Sequence, residues 1–223
     1  RSGGASRADI GLTYWGPGDE WFQADSGIEV DVVYFDTGWL ETQICLLLDE
    51  HRASMGYSTC FWYTVLYSES LYDQEGWFAK LQTRCKAPYP EALSANIISR
   101  NLPVLRTVIP AYLRQIEKAT RRHDLVSINH RLAALFASYF DIIFAANRVL
   151  HPGEKRLLEQ AQRLCASLPD HMTDDVMSVL HSSGSGDPEL LAQLNRLIDR
   201  LEEWLTSRGV KLIDLPGLFP SAE

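Results

Sequence analysis

The sequence predicts an α+β fold, in which a small mixed β-sheet domain precedes an all-α helical bundle. Five of the six tryptophans lie before residue 88, among short apolar segments typical of strands. After the breaker at 87–90, which contains Pro88 and Pro90, apolar residues recur with the helical period to about residue 208. We therefore expect one domain over residues 1–87 and a helical domain over residues 88–223.

Two segments of the N-terminal half are predicted as strands. Residues 9–15 are rich in apolar side chains and end at a Gly-Pro-Gly turn. Residues 27–36 alternate apolar and acidic side chains at first, which predicts a strand that presents Glu29 and Asp31 on one face. Residues 19–25, between these strands, are interpreted as a loop or hairpin, and residues 71–73 as a short strand.

Helices are predicted from about residue 39 to 52 and from 77 to 86. In the second half we expect a long helix near residues 103–122, followed by a central helix that carries apolar side chains over a wide arc from Ile128 to Phe144. Three more helices are expected at about 153–167, 170–181 and 188–208. The last of these is predicted to start at Asp187-Pro188 and to end at Gly209.

Composition and charge exclude several classes of function. The chain has 223 residues and a formal net charge of -8, which is poorly suited to coating a nucleic acid. No apolar run approaches the length of a membrane-spanning helix, and no signal peptide is visible. The four cysteines form no C-x-x-C motif, so we expect free thiols in a reducing compartment and a cytoplasmic protein.

Two aspartates on predicted strands could carry chemistry. If Asp9 and Asp31 lie on adjacent strands with their carboxylates in one cleft, they supply the hard oxygen ligands that a divalent metal requires. A metal held there could bind the triphosphate of a nucleotide. The alternative is structural, with Asp9 capping a turn and Asp31 on the exposed face of an edge strand.

The residues around these aspartates resemble a known superfamily. Residues 9–12 (Asp-Ile-Gly-Leu) and 27–32 (Gly-Ile-Glu-Val-Asp-Val) look like the later part of a nucleotidyltransferase domain of the polymerase-β superfamily. By that resemblance Asp9 matches the second aspartate of the metal motif and Asp31 the third. The first should lie two residues before Asp9, where this chain has Arg7. A degenerate metal site and an N-terminally incomplete domain both stay open as explanations.

The helical half resembles a narrower group. Segments at 71–78, 89–93, 124–131, 139–148 and 151–156 are similar, in this order, to an uncharacterised bacterial family of nucleotidyltransferase-like proteins with a helical C-terminal domain. That family is distantly like aminoglycoside and lincosamide nucleotidyltransferases. The resemblance extends over residues 9–180 or so.

The resemblance implies a transfer reaction. A nucleoside monophosphate would move from a nucleoside triphosphate to an acceptor hydroxyl, with Mg²⁺ or Mn²⁺ held by Asp9 and Asp31. Glu29 and Asp36 are both candidates for the general base. The implied partners are a nucleotide and a small-molecule acceptor, and a homodimer is among the alternatives for the oligomeric state.

Two other functions compete with transfer. A catalytically degenerate module that binds a nucleotide or a partner is favoured by Arg7 at the expected aspartate. A helical protein acting on RNA is disfavoured, because the central helix carries no clean copy of the Arg and His signature of such domains.

Polar residues interrupt the apolar central helix. The separations from His130 to Asp141 and from Asp141 to Arg148 are eleven and seven residues, close to whole numbers of helical turns. We therefore expect these three side chains to share one stripe, to be buried and to face the cleft between the two predicted domains. Because buried polar groups are unfavourable unless paired, the stripe is either an internal network or the wall of a nucleotide-binding pocket.

Overall fold

The chain divides into two compact units, Arg1–Gln43 and Ile44–Glu223. The structure is a computed structural model, and it describes residues 4–14, 16–184 and 189–211. The predicted domain boundary near residue 87 does not coincide with this division. Segment 44–87 belongs to the larger unit because its side chains bond to later helices, as Ser58 does to Asp141.

The small unit contains a three-stranded sheet in the order β1 (Ala5–Leu12), β2 (Gly18–Gln23) and β3 (Glu29–Val33). Both strand pairings are antiparallel. Consecutive strands are joined by short connections, as is typical of a meander. The predicted α+β class with a small N-terminal sheet is confirmed, and the pairings that form in the described residues are antiparallel rather than mixed.

The middle strand β2 corrects the interpretation of residues 19–25 as a loop or hairpin. Its apolar residues Trp21 and Phe22 are adjacent rather than alternating, so the segment lacks the period-two signal of a strand. Gly18 begins β2 because a Cβ there would lie 2.5 Å from the carbonyl oxygen of Val32 on the paired strand. Only glycine allows two strands to approach so closely.

Nine helices are described after the sheet. They are α1 (Thr37–Leu48), α2 (Cys60–Tyr67), α3 (Trp77–Cys85), α4 (Glu91–Arg106), α5 (Tyr112–Arg121), α6 (Leu125–Ala146), α7 (Leu157–Leu164), α8 (Met172–Ser183) and α9 (Leu190–Ser207). No strand is described between residues 90 and 208, which confirms the all-α second half for the residues that the structure covers. The predicted cap at 187–188 lies outside the described residues.

Helix α6 is the centre of the bundle, as its apolar pattern predicts. Leu135, Ile142 and Phe144 are all at most 1% exposed, and α6 packs along both α4 and α5. A helix that is apolar on nearly every face must be surrounded by other helices. Asp124 begins α6 by accepting a hydrogen bond from the backbone nitrogen of Ser127, at 3.0 Å.

Two elements differ from their predictions. The long helix expected at 103–122 is two helices, because the chain turns between Thr107 and Ala111, where Pro110 disfavours helical backbone at the residue before it. No strand forms at 71–73. Instead, Asp73 accepts hydrogen bonds from the first turn of α3, from the backbone nitrogens of Phe78 at 3.2 Å and Ala79 at 2.9 Å.

The four cysteines, Cys45, Cys60, Cys85 and Cys165, are free thiols, as predicted. Within the described ranges, no helix is both long enough and apolar enough to cross a membrane.

Candidate functional site

A row of three carboxylates crosses the sheet. The strand register pairs Asp9 of β1 with Glu20 of β2, and Glu20 with Asp31 of β3. Residues paired across antiparallel strands project from the same face, so all three side chains lie on one face of the sheet. We call Asp9, Glu20 and Asp31 the carboxylate row.

The prediction that Asp9 and Asp31 lie on neighbouring strands is wrong. They occupy the two outer strands, with β2 between them. Alternation along a strand identifies the face of a residue but not the order of the strands, and the error follows from missing β2. Asp31 does lie on an edge strand, as the structural alternative stated.

The guanidinium of Arg7 bonds to the carboxylate of Asp9, at 3.2 Å. Both side chains are at least half exposed, so water screens the pair and it contributes little to stability. The pair does place a positive charge beside one end of the carboxylate row. The Arg7 guanidinium therefore competes with any metal cation for the Asp9 carboxylate.

The structure separates the three residues of the predicted polar stripe. Asp141 is buried at 1% exposure, as expected, whereas His130 and Arg148 are exposed, so the prediction of burial is wrong for these two. Helix α6 ends at Ala146, so Arg148 is not on the helix, and its guanidinium pairs with Glu91 instead. His130 lies eleven residues from Asp141, about 16 Å along the helix axis.

Asp141 belongs to a buried hydrogen-bond network in the helical unit. Its Oδ1 accepts from the backbone nitrogen of Ser58 at 3.0 Å, and its Oδ2 accepts from the Ser58 hydroxyl at 2.7 Å. Asn101 of α4 donates to Oδ2 at 3.4 Å and to the Ser54 carbonyl at 2.9 Å, and accepts from the Gly56 nitrogen at 3.0 Å. The network fixes loop 54–58 to α4 and α6, which favours the structural reading of Asp141.

His151 lies beside this network and is fully buried. Its Nδ1 accepts a hydrogen bond from the Gly153 nitrogen at 3.1 Å and faces the Cys60 sulfur at 3.4 Å. The ring proton is therefore assigned to Nε2. That nitrogen is buried and has no hydrogen-bond partner among the described residues.

Burial sets the charges of these groups. It raises the pKa of Asp141 to about 7, although the hydrogen bonds from Ser58 act in the opposite direction. Burial lowers the pKa of His151 to about 4 and raises that of Cys60 to about 12. At neutral pH His151 is thus uncharged and Cys60 is a thiol rather than a thiolate, so this pair is unsuited to nucleophilic catalysis.

The Asp141→Asn variant should gain stability relative to the native protein as pH rises from about 4 to 7. The pKa of the native carboxyl is raised from 3.8 in the unfolded chain to about 7 in the folded protein. Protonation of this group therefore contributes its full stabilisation below pH 3.8, and the contribution is lost as pH rises through 7. The relative gain has an upper bound on the order of 4 kcal/mol. It is measured by urea unfolding at several pH values.

The control for this titration is Asp170→Asn, which removes an exposed carboxyl near the start of α8. It shows how much the loss of one exposed carboxyl outside the buried network changes the dependence of stability on pH. The measured quantity is the difference in unfolding free energy between variant and native protein. This difference is needed because the lowered pKa of His151 makes the stability of both proteins rise between about pH 4 and 6.5, opposite to the effect of Asp141. A pH-independent difference for Asp141→Asn would contradict the raised pKa.

Sequence reasoning missed the partners of the predicted residues. Glu20 lies in the segment interpreted as a loop or hairpin. Turn-forming residues on both sides of it, Gly16-Pro17-Gly18 and Asp25-Ser26-Gly27, are the signal of two hairpins with a strand between them. Ser58 and Asn101 carry no local signal, because their bonds to Asp141 join positions 83 and 40 residues apart.

Across the part of the chain that the structure describes, no group of three or more His, Cys, Asp or Glu side chains is arranged to hold a metal ion. Comparison of the chain with protein-family models, curated proteins and solved structures finds no match.

Proposed function

We propose that this chain is a metal-dependent nucleotidyltransferase, which transfers a nucleoside monophosphate from a nucleoside triphosphate to an acceptor hydroxyl. The observation that carries the proposal is the carboxylate row, which presents three acidic side chains at one level on one face of the sheet. The resemblance of residues 9–12 and 27–32 to the polymerase-β superfamily supports the same reaction.

The carboxylate row suits Mg²⁺ or Mn²⁺ in its donor chemistry. Asp9 and Asp31 are separated by two strand spacings, about 10 Å, so these two alone do not share an ion. Glu20 and Asp31 are directly paired on adjacent strands and are the better pair of ligands. Mg²⁺ is commonly bound by one or two carboxylates together with phosphate oxygens and water. When bound, the metal would neutralise and orient the triphosphate.

The chain's own residues distinguish the two candidates for the general base. Asp36 already accepts a hydrogen bond from the Trp39 nitrogen at 2.9 Å and so begins helix α1. Glu29 lies two residues before Asp31 on β3 and therefore on the same face as the carboxylate row. In the proposal Glu29 accepts the proton of the acceptor hydroxyl.

A second candidate function is nucleotide binding without transfer. The ion pair between Arg7 and Asp9 favours it, because a guanidinium stands where the superfamily carries its first aspartate. In this alternative Arg7 contacts a phosphate oxygen, a role for which its planar group is suited. Asp31 and Glu20 still hold the metal, so the two functions share a binding site and differ only in catalysis.

The Asp31→Asn variant should bind a nucleoside triphosphate about tenfold or more weakly in the presence of Mn²⁺, because it loses a charged metal ligand. Glu20→Gln should weaken binding similarly. Isothermal titration calorimetry with each of the four nucleoside triphosphates measures the effect, and chelation of the metal with EDTA should abolish the metal-dependent part of the binding. The matched control is Asp25→Asn, an exposed aspartate in the β2–β3 turn of the same unit.

Transfer is tested separately, by release of pyrophosphate in the presence of aminoglycosides and lincosamides as acceptor alcohols. Glu29→Gln should retain metal-dependent nucleotide binding and lose pyrophosphate release. Binding without release in the native protein would support the second candidate function. Equal affinity of the native, Asp31→Asn and Glu20→Gln proteins would reject both functions, since both place the metal on these residues.

A further inference from the structure

The helical unit contains a cavity of about 680 Å³ that the carboxylate row does not involve. It is bounded by the first turns of α4, by the residues that follow the end of α6, and by the residues that follow the end of α9. This volume lies within the range of small-molecule sites. The cavity is lined entirely by residues of the unit Ile44–Glu223.

Positive charge dominates the lining of this cavity. Arg148, Arg208 and Lys211 contribute three cations, and Glu91 contributes the only carboxylate among the lining residues. Glu91 pairs with Arg148, and neither Arg208 nor Lys211 has a carboxylate partner among the residues that the structure describes. The lining therefore has an excess of positive charge that matches a dianion.

Several of these groups are held in place. The guanidinium of Arg208 donates to the Ala146 carbonyl at 2.9 Å and lies over the Trp204 ring, 5.0 Å from its centroid. Asn147, also in the lining, is fixed by its amide, which donates to the Ser167 carbonyl and accepts from the Ser167 nitrogen. A cavity with immobilised polar groups binds its ligand with a smaller loss of conformational entropy.

The remaining lining is apolar and offers no further acidic group. Ala95, Ile98 and Val210 present aliphatic carbons, and the Ser94 hydroxyl already donates to the Ala145 carbonyl at 2.7 Å. The lining thus combines a cationic side with an apolar side.

We propose that this cavity binds a phosphorylated small molecule, whose phosphate contacts Arg148, Arg208 and Lys211 and whose carbon portion packs against Ala95 and Ile98. Phosphate is favoured over a monocarboxylate because the excess positive charge matches a dianion. In addition, one guanidinium can donate two parallel hydrogen bonds to phosphate oxygens. The site goes beyond the proposed function and does not depend on it, since none of its residues belongs to the carboxylate row.

The test uses isothermal titration calorimetry in EDTA, so that binding at a metal-dependent site does not contribute. A negative result here therefore does not bear on the proposed nucleotidyltransferase function, and the reverse also holds. The probes are adenosine monophosphate and pyrophosphate, with uncharged adenosine as the comparison. The native protein should bind both anions, more weakly as salt is added, and adenosine at least tenfold more weakly than its monophosphate.

Lys211→Gln and Arg208→Gln should each weaken binding of adenosine monophosphate by about tenfold. Lys118→Gln, which removes an exposed cation from α5, is the matched control and should leave binding unchanged. Lys211 lies beyond the end of α9, so its variant keeps the test valid if Arg208→Gln lowers the melting temperature. Absence of anion binding in the native protein, or equal affinity in Lys211→Gln and Lys118→Gln, would overturn the proposal. So would a lowered melting temperature in Arg208→Gln with intact binding, since the arginine would then act only on the helix ends.

Discussion

The Gly56→Ala variant is expected to lose about 3–4 kcal/mol of unfolding free energy, because it combines backbone strain with a clash in the core. Gly56 is buried and has a φ of 78°, a conformation that side chains with a Cβ rarely adopt. A Cβ at this position would lie 2.8 Å from the Cβ of Ala137 and 3.1 Å from its carbonyl carbon. Ala137 belongs to the central helix α6, so its backbone cannot move aside without disturbing the bundle.

Gly76→Ala separates the two contributions. Gly76 has a φ of 66°, but a Cβ there would meet no atom within 4 Å, so only the backbone strain remains. Its loss should be about 1 kcal/mol. Chemical denaturation of both variants measures the difference. If the two variants lost equal stability, loop 54–58 would not be packed tightly against α6.

The Asp141→Ala variant should lose about 3 kcal/mol of unfolding free energy at about pH 6, where the native carboxyl is largely neutral. The substitution leaves the buried backbone nitrogen of Ser58 without its acceptor, and leaves the Ser58 hydroxyl only the Ser54 carbonyl, at 3.5 Å. Each unpaired buried donor is unfavourable by about 1–3 kcal/mol. The Asn101 amide loses a weaker contact and keeps its bond to the Ser54 carbonyl.

Asp170→Ala is the control for this variant, since it removes an exposed carboxyl near the start of α8. It should change stability by no more than about 0.5 kcal/mol. Urea unfolding at the same pH compares the two. A small loss for Asp141→Ala would mean that water replaces the carboxyl as the acceptor of the Ser58 groups. The network would then contribute little to the fixing of the loop.

Helical periodicity predicted most of the larger unit correctly. The apolar arc from Ile128 to Phe144 identified α6 and its central position, because a helix that is apolar over most of its circumference is stable only when other helices surround it. The break between α4 and α5 was missed because apolar spacing continues across Pro110. The backbone restriction imposed by Pro110 sets the position of this break, and the pattern of apolar side chains carries no sign of it.

In the candidate sites, too, features set by neighbouring residues in the sequence were predictable, and contacts between residues far apart in the sequence were not. Burial of Asp141 was predictable from its apolar neighbours along α6, whereas its partner Ser58 is 83 positions away and was not. The spacing between Asp141 and Arg148 predicts a shared face only while the helix continues, and α6 ends at Ala146. His130 lies near the start of the same helix and is exposed. Its spacing from Asp141 does not show which part of the helix the neighbouring helices cover, so its exposure was not predicted.

The bonds of loop 54–58 also affect the order in which the chain folds. The Gly56 nitrogen binds a side chain 45 positions later, and the Ser58 nitrogen binds one 83 positions later. Contacts of such high sequence separation form only after the intervening chain has collapsed, since closing a long loop is entropically unfavourable. We therefore expect the loop to close after α4 and α6 have met, late in folding. Substitutions that weaken its bonds should then act mainly by speeding unfolding, so that the loop sets how long the folded helical unit survives rather than how quickly it forms.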